Sequence, residues 1–324
     1  MTVKVGFIGA GNISRGHRRH LKRMDDVAVV AVCDLDRAKA DEAAAEWNAG
    51  VFTDYRSMLN EVELDAVYVC VPPFAHETQE ILAAEKGIAL FVEKPISLHM
   101  DTAREADAAI REHGVISCVG FQGRYLDIID KTRDLLADRQ VGLAIGYWMG
   151  GLPGAYWWRR KQLSGGQAVE QTVHVTDMAR YLFGDVKTVF AGGRTGLMTD
   201  VEDYDIEDAS AATLIFENGT LATLFSACFL SCGHRGGLDI YTKDMVIEYK
   251  ERKSITVVQG DRSEHFEVGN PYWQEMDNAF IEAVRTGDGS KLRCPYSDAV
   301  KTQQVVVAVN RSLETGEPVS IADI

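Results

Sequence analysis

Three short stretches carry residue types that could do chemistry. Glu93-Lys94-Pro95 closes the apolar run IALFV, where a buried strand end would normally avoid an acid, a lysine and a proline. Pro95 removes a backbone donor and keeps the preceding residue out of helical geometry, so the run must stop there with Lys94 held as a fixed cation. Neighbours in a strand point to opposite faces, so Glu93 and Lys94 are not simply an ion pair with each other. A fixed ammonium beside a reacting carbon can stabilise a developing oxyanion. The second stretch, Gly9-Ala10-Gly11-Asn12-Ile13-Ser14, joins an apolar run to a helical pattern. Glycines in such a turn let the backbone approach a pyrophosphate at the helix N-terminus, although Ser14 stands where a third glycine is usual. Asp34 ends the next apolar run about 25 residues on, where an acid can bind a ribose 2′-hydroxyl. That carboxylate would repel a 2′-phosphate, so NAD is expected over NADP, with Arg37 nearby as the contrary signal. The third stretch runs from Gln167 to Phe183, where Glu170, His174, Asp177 and Tyr181 recur at i, i+4, i+7 and i+11 and form a polar stripe on a predicted helix. A histidine there is either a proton acceptor or an ordinary structural residue, and the spacing leaves both open. Glu170, His174 and Asp177 could also line one face as metal ligands. Hydride chemistry with a lysine present requires no metal, and none is expected.

These residues need a frame to hold them. Up to residue 121 the chain alternates apolar runs with helical patterns: VKVGFI, VAVVAVC, a short VF, DAVYVCV, IALFVE and VISCVG are the six runs. That alternation predicts an α/β domain with a Rossmann-type, doubly wound parallel sheet. Its strand order would set the fourth and fifth runs beside the first, beyond the switch point, with ligands across their C-terminal ends. Lys94 then projects from the rim of the half that would hold nicotinamide.

After Gly120 the pattern changes. A helix is expected near Tyr125–Ala137, a long strand at Val141–Met149, a Gly/Trp-rich loop, and one helix over Gln167–Phe183. Strand-like runs with an Asn218-Gly219 hairpin signal follow, then helices near Tyr272–Arg285 and Ser297–Leu313. The expectation is two domains, 1–121 binding a dinucleotide and 122–324 an α+β domain with a mostly antiparallel open sheet, for substrate and oligomerisation. Residues Gly219–Gly233 leave both strand faces uncharged; one face can pack on helices and the other needs a cover, so a homodimer or homotetramer is expected.

Composition sets outer bounds. The 324 residues are 46% hydrophobic and 25% charged, with a net charge of −14, which suits a soluble two-domain protein and gives no basic patch for nucleic acid. Six scattered cysteines without a CxxC fit a reducing cytoplasm. The first strand begins almost at once, so no signal peptide is expected, and Gly219–Gly233 is too short to span a bilayer. The partner left is a small molecule.

GFIGAGNIS, the strand-ending Asp34, VPPFAH and above all VEKPIS resemble the Gfo/Idh/MocA oxidoreductase family, which includes glucose-fructose oxidoreductase and inositol dehydrogenases. The resemblance covers essentially the whole chain, including the closing SLETGEPVSI. It implies that Lys94 contacts substrate and nicotinamide, that Pro95 is often cis, and that Gly9, Gly11, Asn12, Ile13, Asp34, Val71, Pro72, Pro73, His76 and Glu93 form the cofactor side. It also implies that an acid four residues before a histidine serves catalysis. Glu170 and His174 match, with Glu where many members carry Asp. In GGLPGAYWWRRK, Trp157, Trp158 and Arg159 are placed to cover nicotinamide and sugar, and Gln122 and Arg124 are candidates of the same kind. The expected activity is an NAD-dependent exchange of hydride with a secondary alcohol, or the matching ketone, of a sugar or cyclitol, with Lys94, His174 and Glu170 as the catalytic set. The alternatives are glycoside hydrolysis through transient oxidation, and a ligand sensor that binds NAD without turnover.

Overall fold

The computed structural model describes residues 2–324. The first stretch of chain contains β1 (Val3–Ile8), α1 (Asn12–Leu21), β2 (Val27–Cys33), α2 (Arg37–Ala45), β3 (Gly50–Phe52), α3 (Tyr55–Glu61), β4 (Ala66–Val69), α4 (Gln79–Glu85), β5 (Ala89–Val92), α5 (Met100–Glu112) and β6 (Ser117–Val119). There follow α6 (Asp127–Leu136), β7 (Val141–Met149), α7 (Lys161–Ser164), α8 (Gln167–Glu170), α9 (Val173–Phe183), β8 (Val186–Arg194), β9 (Ala209–Phe216) and β10 (Leu221–Ala227). The chain closes with β11 (Arg235–Thr242), β12 (Val246–Lys250), β13 (Ser254–Gln259), β14 (Arg262–Glu267), α10 (Tyr272–Thr286), α11 (Tyr296–Thr315) and β15 (Val319–Ser320).

Two compact units emerge, one of the residues up to Gln122 with Trp273–Val300, the other of Gly123–Tyr272 with Lys301–Ile324. Residues 273–300 thus return to the unit that the first 122 residues form. The reason is packing: α10 buries Met276, Phe280 and Ile281, and the Phe280 ring lies edge-on to Tyr68 and Phe91 of the first unit's sheet at 5.5 and 5.4 Å. A change of pattern along the chain carries no sign of such a contact.

In the first unit six parallel strands stand in the order β3-β2-β1-β4-β5-β6, as the alternation predicts. β4 and β5 are buried at every position, which is why they read as unbroken apolar runs. Asp36 and Asp54 start α2 and α3 by accepting hydrogen bonds from first-turn amides. The order reverses between β1 and β4, so the C-terminal strand ends there form the ligand-binding edge of this topology.

The second unit holds a nine-stranded sheet in the order β14-β13-β12-β11-β7-β10-β9-β8-β15. Every pairing is antiparallel except β7 with β10. One face buries Ala144, Trp148, Leu214, Leu224, Leu238 and Ile240 in the core that also contains Met178, Phe183, Val305 and Val309 of α9 and α11. The opposite face leaves Leu143, Phe190, Ile215, Leu221 and Phe225 exposed. Gly219 turns the β9–β10 hairpin at φ +88°, where glycine carries no steric cost. Among the described residues, no helix is long and apolar enough to cross a membrane.

One expected element is divided. The pattern over Gln167–Phe183 predicts a single helix, whereas α8 and α9 are separated at Gln171-Thr172. The Thr172 amide reaches back five residues to the Gln167 carbonyl at 2.9 Å, and the His174 amide reaches back three to Gln171 at 3.3 Å. A wide turn followed by a tight one breaks the helical register between Glu170 and His174, so these two residues are not i and i+4 on one continuous helix.

Candidate active site

The dinucleotide edge of the first unit is built from five strand ends. Gly9 leaves β1 at φ +94°, and a Cβ there would fall on the Cys70 carbonyl at the end of β4, so only glycine serves. Gly11 precedes α1 with open space where its Cβ would be. It caps the helix without a side-chain hydrogen bond, and no acid occupies the first turn. That is the cradle a pyrophosphate requires. Ser14, in the third glycine's place, is fully buried; its hydroxyl donates to the Gly11 carbonyl at 2.8 Å and accepts from Arg18 at 2.9 Å. Asp34 does local work as well, because its carboxylate accepts from the amides of Ala10 at 2.8 Å and Asp36 at 2.9 Å and so fixes the glycine turn to the end of β2.

Val71, Pro72, Pro73 and His76 follow β4, and Gln122 follows β6. The His76 ring is buried, with Nδ1 2.6 Å from Glu80. Its Nε2 and the Gln122 Oε1 are buried without hydrogen-bond partners, as is expected of atoms that a ligand completes. The open glycine turn, Asp34 and these two atoms fit a dinucleotide on this edge.

Beyond β5, the Lys94-Pro95 peptide bond is cis. Glu93 is buried and Lys94 partly exposed. One Glu93 oxygen accepts from the Lys94 amide at 3.2 Å and the other lies 3.0 Å from His17 Nε2. His17 Nδ1 lies 2.6 Å from Asp277, whose second oxygen is 2.7 Å from His20. A Cβ on Gly120 would occupy the place of the Glu93 carboxylate. His17, His20 and Asp277 form no part of the sequence reading. His17 shares the buried face of α1 with Leu21, which signals burial, but nothing local points 260 residues ahead to Asp277.

In the second unit, Glu170 and Gln167 are buried on α8, and His174 is partly buried near the start of α9. Gly165 and Gly166 enter α8 at φ +73° and +79°. Asn310 donates to the Gly165 carbonyl at 2.7 Å, while Lys161 holds Glu207 at 2.8 Å and Asn310 at 2.9 Å directly against Gly166. The His174 ring stacks on Trp148 of β7, with centroids 5.3 Å apart and planes 22° apart. Trp148 is also absent from the sequence reading, where it appears only as a strand residue.

Arg124, expected to reach substrate hydroxyls, is buried and makes two bonds to Asp177, at 2.8 and 2.6 Å, while Thr302 donates to the same carboxylate at 2.9 Å. Asp177 is therefore part of a buried ion pair rather than of an open stripe or a metal site. Trp157, Trp158 and Arg159 lie on a 3₁₀ turn; Arg159 donates to the Pro153 carbonyl at 2.9 Å, and the Trp158 Nε1 is buried without a hydrogen-bond partner. Among the described residues, no group of three or more His, Cys, Asp or Glu side chains is placed to hold a metal ion.

A parallel sheet with this switch point and glycine turn defines a dinucleotide-binding protein. Residues 3–121 match the oxidoreductase family with an NAD-binding Rossmann fold, and residues 139–248 match the GFO/IDH/MocA C-terminal domain. The chain belongs to this family of NAD-binding oxidoreductases. It is 27% identical to a D-glucoside 3-dehydrogenase of Escherichia coli K12, over 98% of this chain and 97% of that protein. An inositol 2-dehydrogenase of Rhizobium meliloti is 28% identical, over 99% and 100% of the two chains. Among solved structures, levoglucosan dehydrogenase in complex with NADH and L-sorbose shares the fold at a TM-score of 0.86 with 19% identity, over 99% of each chain.

Proposed function

We propose that this protein is an NAD-dependent dehydrogenase that moves hydride between nicotinamide and a secondary alcohol, or the matching ketone, of a sugar or cyclitol. The observation that carries this reading is the turn after β5, where a buried Glu93 accepts from the Lys94 amide and Lys94 itself is partly exposed at a strand end of the ligand-binding edge. Relatives named for sugar and inositol dehydrogenation support the substrate class. Bound NAD supplies the hydride acceptor. His174, its ring held against Trp148, takes the hydroxyl proton; Lys94 stabilises the developing alkoxide; Glu170 positions or polarises the histidine. Gly9, Gly11, Asn12 and Ile13 offer backbone to the pyrophosphate, and Asp34 binds the adenosine ribose. Val71, Pro72, Pro73, His76, Glu93 and Gln122 complete the cofactor side, joined by Trp158 and Arg159, while Trp157 offers an aromatic face to sugar CH groups.

In this reading residues 1–121 serve the cofactor, and 122–324 serve the substrate and join copies of the chain. Incubation with NAD and a panel of inositols, free sugars and aryl glycosides, following NADH absorbance and aglycone release, tests it. Net NADH from a free polyol is the expected result. Aglycone release without net NADH would replace the reading with glycoside hydrolysis, and NAD binding with neither signal would replace it with a sensor.

A further inference from the structure

His17 lies at the middle of a buried chain of charged groups that ends beside Lys94. Its side chain is fully buried, and its two ring nitrogens lie 2.6 Å from Asp277 and 3.0 Å from Glu93. Both nitrogens can donate only in the imidazolium form; a neutral ring would turn a lone pair toward one of the carboxylates. Tyr68, Phe91 and Trp273 surround the ring with centroids at 5.2, 4.8 and 5.7 Å. The Tyr68 hydroxyl donates to Asp277 at 3.3 Å. A Cβ on Gly16 would sit only 3.0 Å from the Trp273 ring, so glycine lets that ring close over α1.

Burying such a chain is a poor way to gain stability, because desolvation of each ion offsets the attraction between them and apolar replacements often serve as well. What the chain provides is a single position for the Glu93 carboxylate. With one oxygen held by His17, the other faces the Lys94 amide, and the absence of a Cβ on Gly120 leaves the group room. We propose that His17, anchored by Asp277, is a positioning residue: it fixes Glu93 and thereby sets where the turn after β5 presents the Lys94 ammonium. α1 also starts at the Gly11 turn, so one rigid helix carries both the pyrophosphate cradle and the group that orients the lysine. The inference rests on the reading of Lys94 as the alkoxide-stabilising cation.

Its test does not depend on knowing the substrate. Reductive methylation of the full chain with ¹³C-formaldehyde gives each lysine a dimethylamine resonance, and the Lys94 signal is the one missing from Lys94→Met. His17→Gln and Glu93→Gln are each expected to shift that signal, and the double variant should shift it no further than Glu93→Gln alone, with the other lysine signals in place. A merely structural role would lower stability without moving the Lys94 signal in the folded protein. An unmoved Lys94 signal in folded His17→Gln, or shifts that add in the double variant, overturn the proposal. Should His17→Gln not fold, Asp277→Asn keeps the shape of the chain of contacts and is read in the same way. The two failures separate cleanly: near-normal turnover in Lys94→Met removes the catalytic reading, while the resonance experiment judges the positioning role by itself.

Discussion

Lys94 and His174 have different tasks in the proposed reaction, and the loss of either is measurable. Neither belongs to the turn of Gly9 and Gly11 or to the Asp34 contact, so Lys94→Met and His174→Ala are each expected to lower turnover about a hundredfold or more, the scale of losing an oxyanion stabiliser or a proton acceptor. NAD affinity, read by fluorescence titration, should change far less. Near-normal turnover in His174→Ala would remove it as the base. Asp34 has two tasks, since it ties the Ala10 amide to β2 and is proposed to bind ribose. Hydrogen bonds to a charged group are worth about 1.5–3 kcal/mol, so Asp34→Ser should weaken NAD binding about ten- to a hundredfold and narrow its lead over NADP. Equal affinity of the unaltered protein for both cofactors would contradict the ribose contact. His17 ties stability to pH. Burial alone would lower its pKa, but Asp277 and Glu93 outweigh burial and raise it from 6.5 to about 10. The folded state thus keeps a proton that the unfolded chain releases, and this contribution, complete below pH 6.5, is lost as pH rises toward about 10. Asp277 acts at the other end: burial would raise its pKa, His17 and His20 lower it on balance, and its contribution fades as pH falls through the acid range. Denaturant unfolding over a pH series should show stability declining from neutral toward about pH 10, with a shallower decline in His17→Gln. Identical slopes would show that His17 does not bind the proton.

At the scale of elements, the entry to α8 depends on a backbone conformation that glycine provides. Gly166 takes φ +79° and ψ −170°, a region open essentially to glycine alone, and its missing Cβ would lie 2.9 Å from both Lys161 Nζ and Glu207 Oε2. The Glu170 amide bonds to the Gly166 carbonyl at 3.1 Å, so displacement at Gly166 is passed to the acid. Gly166→Ala should therefore cost about 1–3 kcal/mol of stability in denaturant unfolding and also lower turnover of the protein that remains folded. A variant with unchanged stability would show that the turn relaxes freely. The six parallel strands were legible in the sequence, because apolar runs separated by helical patterns admit few topologies. The break at Gln171-Thr172 was not, since periodicity records which side of a helix is apolar and is blind to an amide that reaches back five residues. Arg124 shows the same limit: nothing beside it in the sequence points to Asp177, 53 residues later, whose carboxylate accepts two of its bonds. Residue types name the chemistry a position can perform, whereas long-range partners decide whether the group is left to perform it.

For the whole molecule, the open face of the nine-stranded sheet is the surface through which assembly is expected. Register places Leu221 of β10 between Leu143 of β7 and Ile215 of β9, Thr223 between Ile145 and Thr213, and Phe225 between Tyr147 and Ala211. Phe190 on β8 extends the same rows through Thr213. Leu143, Phe190, Ile215, Leu221 and Phe225 are each between 37% and 49% exposed, so apolar side chains line four adjacent strands, with Arg194 of β8 at the end of the same face. On a chain with a net charge of −14, repulsion between copies is least where carboxylates are absent, which favours contact through these apolar rows. A twofold axis through β10 would bring the same rows together from both copies and cover them with their own kind. We therefore expect a homodimer, or a tetramer that contains this contact, with a mass in light scattering at least twice the 35.8 kDa of one chain at micromolar concentration. Replacing Leu221 and Phe225 together by Glu would set like charges against each other across the axis without touching the buried face of β10, where Ala222 and Leu224 lie. That variant should keep its helical and sheet content by circular dichroism and fall to the monomer mass. A monomer mass for the unaltered protein, or an unchanged oligomer in the double variant, would place the assembly surface elsewhere.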